Sequence, residues 1–504
     1  MPLTALRVTV PVRITIGGGR PGAPVPADFA GLSFERGPLN PGNAGVAGYL
    51  FSPENDSLVT LFRNLGLRSL RIGGGSVDTM VPAGTGSDGF TGIDRLFAFA
   101  AAAGVKVIYS LRMLNPAARP AGDLGAVDAL IARHIWERFP GLLASFAIGN
   151  EPDWHAFHSY PGHPGDPAIR EEVPGVPGSA YPSYLAAWRE LAGVVQDVAP
   201  GAALCGPDTG AYSRQTFVPD PDSGISWTEQ FARDEGDRIT EPTQHYYVGG
   251  GPGETTAEQA ISNMLSPEWV LETRPGTQPE CTTYTPYAWL HEAIVAPLAA
   301  AGLCCRLTES NEYLTGVPGA SDAFAAALWT LDYLHWWAAH GAAGVNFHNK
   351  QWLWTDTIVP EPGGWGYAVT PKGYGIRAFS AGSAGLVKPV AIGNPDDLNL
   401  TAYCTGSADE DRVTIINKTH GAQAADAAVT IITPGPGLAG AEVLTLAGRN
   451  PGDAAGDRVT LGGAVITGSA PWEGRWDTLP AGPRSGVSLT VPATTAAIVR
   501  MRRG

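Results

Sequence analysis

Two acidic motifs in this chain carry groups suited to acid–base and nucleophilic chemistry. Asn150-Glu151-Pro152 closes the apolar run LLASFAIGN (142–150), and Thr308-Glu309 closes LCCRLTE (303–309). A lone Glu at a strand end is usually a helix cap, an ion-pair partner or a solvated loop residue. The Asn-Glu-Pro triplet is more specific, because Asn can bond a sugar hydroxyl and Pro stiffens the turn behind the acid. Two carboxyl groups about 5–5.5 Å apart suit glycoside hydrolysis with retention, where one protonates the leaving oxygen and the other attacks the anomeric carbon; about 6.5–9.5 Å suits inversion. Glu312 competes with Glu309 for the second role, and its expected place in the loop beyond the strand favours Glu309.

Acids this far apart in sequence need a fold that returns strand ends to one place. Eight short apolar runs recur, near 29–35, 67–74, 105–111, 142–150, 202–208, 243–249, 303–309 and 343–349. Between them lie helical patterns such as SLVTLFRNLG, IDRLFAFAAAAG and DAFAAALWTLDYLHWWAAHG. Continuous apolar strands alternating with helices imply a parallel sheet covered by helices. Eight such units imply an α/β fold of the (β/α)₈ TIM-barrel type, whose active sites lie at the C-terminal strand ends. Glu151 and Glu309 then end the fourth and seventh strands. The rival is an open doubly wound sheet, but the first strand is followed by SFERGPLN rather than a glycine-rich phosphate turn.

From about residue 385 short β-branched runs replace the helices, as in DRVTIINK, AAVTIIT and GVSLTV. They read as an antiparallel β-sandwich. The first 25 residues alternate as a strand pair would, with Leu6, Val8 and Val10 followed by Val12, Ile14 and Ile16. The expected organisation is residues 1–25 joining the sandwich, 26–384 forming the barrel, and 385–504 forming the sandwich itself.

The bulk numbers agree with a large globular chain. Of 504 residues 44% are hydrophobic and 16% charged, and a net charge of −15 argues against general nucleic-acid binding. The five Cys are odd in number and lack metal-type spacing, so all are read as mostly buried thiols. His245, His348 and Asp208 share no ligand spacing, so no metal and no cofactor is expected. No segment reaches membrane-spanning length, and no export signal is evident at the N-terminus, so a cytoplasmic location is favoured over secretion with a removed signal.

The ordered motifs FAGLSFE, LRSLRIGGGSVD, FAIGNEPD, HYYVGG, RLTESNEY and SDAFAAALWTLDYL resemble glycoside hydrolase family 79, the heparanase and β-glucuronidase group. The resemblance covers nearly the whole chain. It implies a retaining, exo-acting β-glucuronidase with Glu151 as acid/base and Glu309 as nucleophile. It further implies that Asn150 bonds the sugar's 2-hydroxyl, that Tyr246 orients the nucleophile, and that Glu35 bonds the outer hydroxyls of the terminal sugar. The glucuronate carboxylate would meet Thr315 and Gly316, with Tyr374 completing its site. Here the chain departs from the heparanase pattern: Thr-Gly replaces a glycine pair, and the tyrosine is shifted by one place. The acidic stretch FARDEGDRITE also speaks against a heparan-sulfate cleft, which needs clustered cations. Two alternatives are a β-glycosidase acting on a neutral sugar and a non-catalytic carbohydrate-binding protein.

Overall fold

The computed structural model describes residues 8–17, 19–42, 48–79, 89–113, 123–153, 181–210, 225–250, 255–266, 287–350, 353–361, 366–434, 437–480 and 486–503. The first strand, β1 (Thr9–Ile16), stands outside the barrel. Eight parallel strands then close on themselves: β2 (Ala30–Glu35), β3 (Ser69–Gly73), β4 (Lys106–Leu111), β5 (Leu143–Ile148), β6 (Leu204–Thr209), β7 (Glu241–Gly249), β8 (Arg306–Tyr313) and β9 (Gly344–Asn349). Closure comes from β9 pairing with β2, Ala30 opposite Val345. This is the (β/α)₈ barrel expected from the eight apolar runs.

Helices cover the ring because their sequences bury one stripe and carry their own start and stop signals. In Asp56–Leu65 the Asn55 side chain accepts from the Leu58 N–H, and the chain leaves through Gly66 at φ +74°. Leu58, Leu61, Phe62 and Leu65 form its buried face, at helical spacing. The helix Phe324–Ala339 differs. It is buried from Phe324 to Trp337, with no side-chain cap of its own. Instead its first N–H groups donate to the Gly456 and Ala454 carbonyls, which belong to the C-terminal part of the chain. A helix buried on all sides needs a covering layer, and here the barrel lies on one side and the sandwich on the other.

After the hairpin β10 (Ile358–Pro360) and β11 (Tyr367–Val369), and the helix Pro371–Gly382, the described elements are strands apart from one 3₁₀ turn at Gly421–Gln423. The strands are β12 (Leu386–Lys388), β13 (Val390–Gly393), β14 (Leu400–Gly406), β15 (Glu410–Asn417), β16 (Asp426–Ile432), β17 (Leu438–Gly448), β18 (Val459–Leu461), β19 (Asp477–Leu479), β20 (Gly486–Val491) and β21 (Thr495–Arg503). One sheet runs β13-β1-β16-β20, and the other runs β12-β14-β15-β21-β17-β18 with β19 beside β17. Val10, Val12, Ile14 and Ile16 pack against Val413, Ile415 and Val499 between the sheets. The expected N-terminal strand pair is one continuous strand. Its four apolar residues alternate onto a single buried face and no turn residue interrupts them; Leu6 lies outside the described residues. Among the cysteines, Cys205, Cys305 and Cys404 are buried as expected, Cys304 is exposed, and Cys281 lies outside the described residues.

Candidate active site

The barrel carries Glu151 and Glu309 to one enclosed place. Glu151 follows β5, with φ at +50° and its N–H donating to the Asp208 carbonyl at 2.9 Å. A left-handed backbone at a non-glycine residue costs of order 1–3 kcal/mol and persists only where surrounding contacts impose it. Glu309 lies within β8, where the pairing register shifts toward both neighbouring strands. Such bulges re-aim side chains near functional sites. Carboxylate oxygens of Glu151 and Glu309 and a ring nitrogen of His245 all lie within 4.8 Å of one another. Their donor types would also allow them to surround a small cation.

Glu309 is held by three elements. Arg71 of β3 donates from Nη1 to its Oε1 at 2.7 Å, and the Tyr247 hydroxyl of β7 donates to its Oε2 at 2.8 Å. The His348 ring of β9 sits 3.6 Å from Oε1. Burial alone would raise its pKa, but the neighbouring His348, His245 and Arg71 charges and the Tyr247 bond outweigh it and hold the carboxyl ionised well below the usual range. Glu151 has a different setting. Its Oε1 meets His245 Nδ1 at 2.8 Å, so one proton lies in that hydrogen bond. Burial pulls the His245 pKa down, yet Glu309, Asp208 and Glu151 together push it up to about 10. Asn150, just before the acid, accepts at Oδ1 from Arg71 Nη2 at 2.9 Å. Two residues beyond, Asp153 accepts from the Gly210 N–H, and burial raises its carboxyl to about 8.

Of the residues expected to bind sugar, Asn150 and Glu35 reach this cluster. Glu35 ends β2; its Oε2 accepts the Ser76 N–H at 2.9 Å, and its Oε1 lies 3.5 Å from His348 Nε2. Burial raises its pKa, but the hydrogen bond and charge of His348 bring it below the ordinary value. Arg71 does not pair with it, being committed to Glu309 and Asp208. Tyr246 is a correction. Successive strand residues point to opposite faces, and His245 and Tyr247 take the inward one. Tyr246 therefore faces the helices, with its ring edge-on to Trp337, and Tyr247 meets the nucleophile.

Tyr374 is a second correction. It lies in the helix Pro371–Gly382, where its hydroxyl accepts the Ile466 N–H at 3.0 Å and ties barrel to sandwich. Thr315 and Gly316 follow β8. Gly316 has φ +79°, and a Cβ there would strike the Thr355 nitrogen and Trp354, so this loop is wedged against the one after β9. The Thr315 hydroxyl is buried without a hydrogen-bond partner among the described residues. Glu312 is not in a loop, as expected, but buried within β8 and paired with Lys372 at 2.5 Å. Three positions from Glu309, it faces the other side of the strand, toward the helix that carries Lys372.

Arg71, Tyr247, Asp208, His245 and His348 are contacts of the site to which sequence reasoning gave no such role. Two had a signal in the sequence: Arg71 as an Arg inside the apolar run LRSLRIGG, and Tyr247 as a Tyr two places after His245.

No family model matches the chain, and no curated protein is significantly similar in sequence. Its fold is shared with solved glycoside hydrolases. A 4-O-α-L-rhamnosyl-β-D-glucuronidase from Fusarium oxysporum 12S superposes with TM-score 0.65 at 16% identity, covering 98% of this chain and 100% of that one. A family 51 arabinofuranosidase from Xanthomonas axonopodis pv. citri gives 0.65 at 14%, with the same coverage. A family 44 xyloglucanase from Paenibacillus polymyxa gives 0.60 at 13%, covering 98% and 100%.

Proposed function

We propose that this protein is a retaining, exo-acting β-glycoside hydrolase whose preferred substrate is a terminal β-glucuronide or its 4-O-methyl form. The observation that carries the reading is the pair of acids with unlike settings: oxygens of both carboxyls lie within one 4.8 Å cluster, Glu309 held as an anion by Arg71 and Tyr247 and Glu151 hydrogen-bonded to His245. That spacing fits the roughly 5–5.5 Å carboxyl separation of retention better than the wider gap that admits a water.

In the first step Glu309 bonds to the anomeric carbon as the bond to the leaving oxygen breaks, and Glu151 gives that oxygen its proton. In the second step water attacks the anomeric carbon and yields a proton to Glu151. The glycosyl ester breaks, and Glu309 regains its charge. Arg71 and Tyr247 keep Glu309 aimed, and Asn150 is placed by Arg71 to meet the sugar's 2-hydroxyl.

Support for glucuronide rests on the Thr315 hydroxyl beside Gly316, which no described residue bonds, on the resemblance to family 79, and on a glucuronidase among the structurally similar proteins. A neutral sugar is the second reading, favoured by the commitment of Tyr374 to Ile466. The test is release of p-nitrophenol from a panel of aryl β-glycosides. The glucuronide should react fastest, and Glu309→Ala should lower turnover by at least about 10⁴-fold. Equal turnover by wild type and mutant would remove Glu309 from the chemistry, and faster cleavage of neutral glycosides would remove the glucuronide.

A further inference from the structure

One buried acid touches the supports of both Glu151 and Glu309 without belonging to either step. Asp208 lies in β6, fully enclosed. Its Oδ2 accepts from Arg71 Nε at 3.2 Å and Nη2 at 2.8 Å, and the same guanidinium holds Glu309 and Asn150. Its Oδ1 accepts the hydroxyl of Thr308, the residue before the nucleophile, at 2.6 Å. The same oxygen lies 3.8 Å from Nε2 of His245, whose other nitrogen meets Glu151. The Asp208 carbonyl accepts the Glu151 N–H, and its own N–H donates to Thr243 Oγ1 at 3.0 Å.

The backbones of the two residues are unusual together. Asp208 has φ +54° and Glu151 φ +50°, and the hydrogen bond between them joins two left-handed turns from neighbouring strands. Each conformation costs of order 1–3 kcal/mol, and positions of this kind cluster where geometry serves function. A carboxylate needed only to neutralise Arg71 would not require this backbone, nor contacts to the nucleophile's neighbour and to the acid's own N–H.

We propose that Asp208 is a positioning residue that fixes Glu151 and Glu309 relative to one another, from outside the sugar site. The inference rests on the retaining reading above. It predicts that loss of Asp208 slows bond formation at Glu309 per folded molecule while substrate binding is little changed. A purely structural role predicts fewer folded molecules, each at full rate.

The experiment follows covalent labelling by a panel of 2-deoxy-2-fluoro glycosyl fluorides, by intact mass. The wild type should take one label, and Glu309→Ala none. Asp208→Asn keeps the shape and removes the charge. Checked as folded by circular dichroism, it should label about 100-fold more slowly, with kcat on aryl glycosides falling alike and KM within about 3-fold, as for misplacement of about 1 Å. Thr308→Val removes a single bond to Asp208 and should slow labelling about 10-fold; it carries the test if Asp208→Asn does not fold. Labelling within about 3-fold of wild type in a folded variant overturns the inference and leaves the glycosidase reading standing. A wild type that accepts no label overturns the retaining mechanism, and the inference falls with it.

Discussion

At the scale of single residues, the site depends on charges that water does not screen. His245 is enclosed, and burial alone would favour its neutral form; the acids around it reverse that preference, raising its pKa from the ordinary 6.5 to about 10. The protonated ring binds the fold more tightly than the unfolded chain can. Its stabilising contribution is therefore fully present below about pH 6.5 and is lost as pH rises toward about 10. Wild-type melting temperature should fall between pH 7 and 10 by roughly 5 °C more than that of His245→Asn, reflecting a few kcal/mol of linkage. Thermal unfolding at matched ionic strength measures this; parallel curves for the two proteins would show that His245 is neutral in the fold. Glu309 works in the opposite direction, because the cations around it keep it ionised and so preserve its nucleophilic form on the acid side.

At the scale of elements, the end of β8 and the loop after β9 lean on one buried cation. Lys372 lies fully enclosed, paired with Glu312 and donating to Asn311 Oδ1 at 2.8 Å and to the Thr355 hydroxyl at 2.8 Å. Glu312 in turn accepts from the Thr355 hydroxyl at 2.7 Å. Lys372→Met would leave Glu312 buried and unpaired, a loss of about 3–5 kcal/mol that Glu312→Gln in the same chain should partly recover. Chemical denaturation of the single and double variants gives the comparison, and an unchanged midpoint for Lys372→Met would mean that solvent reaches Glu312.

The elements were the most legible level of the sequence. Short runs announced the places of all eight barrel strands, most plainly where both buried faces are apolar, as in β4 and β5; β8 (RLTESNEY) is buried but largely polar, and it continues past Glu309 to Tyr313. Direction within a strand was harder to read. A dyad repeat sends Tyr246 and Tyr247 to opposite faces but does not say which turns inward, and the resemblance pointed to Tyr246; the choice follows a register shift between Gln244 and His245 that no local motif announces. Tyr374 was misassigned for a related reason. A helix residue can serve the pocket or the neighbouring sheet, and only tertiary packing decides. Arg71, which ends up on β3, meets Glu309 of β8 across the ring, a contact that exists only once the barrel closes.

At the scale of the whole molecule, barrel and sandwich share one set of contacts. Asp332, in the helix Phe324–Ala339, accepts from the Thr401 and Tyr403 hydroxyls and from Lys418, and the sandwich carbonyls of Ala454 and Gly456 cap that helix. The sandwich thus finishes a barrel helix that lacks its own N-terminal signal. β1 serves the far sheet, away from the acids, so the effects of a change there are separable from catalysis. Ile14 is fully buried, and Ile14→Ala should cost about 2–5 kcal/mol of stability with kcat per folded molecule unchanged. Active-site titration alongside thermal melting distinguishes the two quantities, and a matching fall in kcat would tie the far sheet to the pocket.

The place of β1 also sets a timetable for synthesis. Its partners β13 and β16 begin about 370 and 410 residues after it ends. At about 5–20 residues per second, a ribosome exposes the alternating Val10, Val12, Ile14 and Ile16 for roughly 20–80 s before either partner has been made. All eight barrel strands are translated within that interval. The nascent chain thus carries a waiting apolar strand until β13 and β16, made after all eight barrel strands, emerge to give it its place.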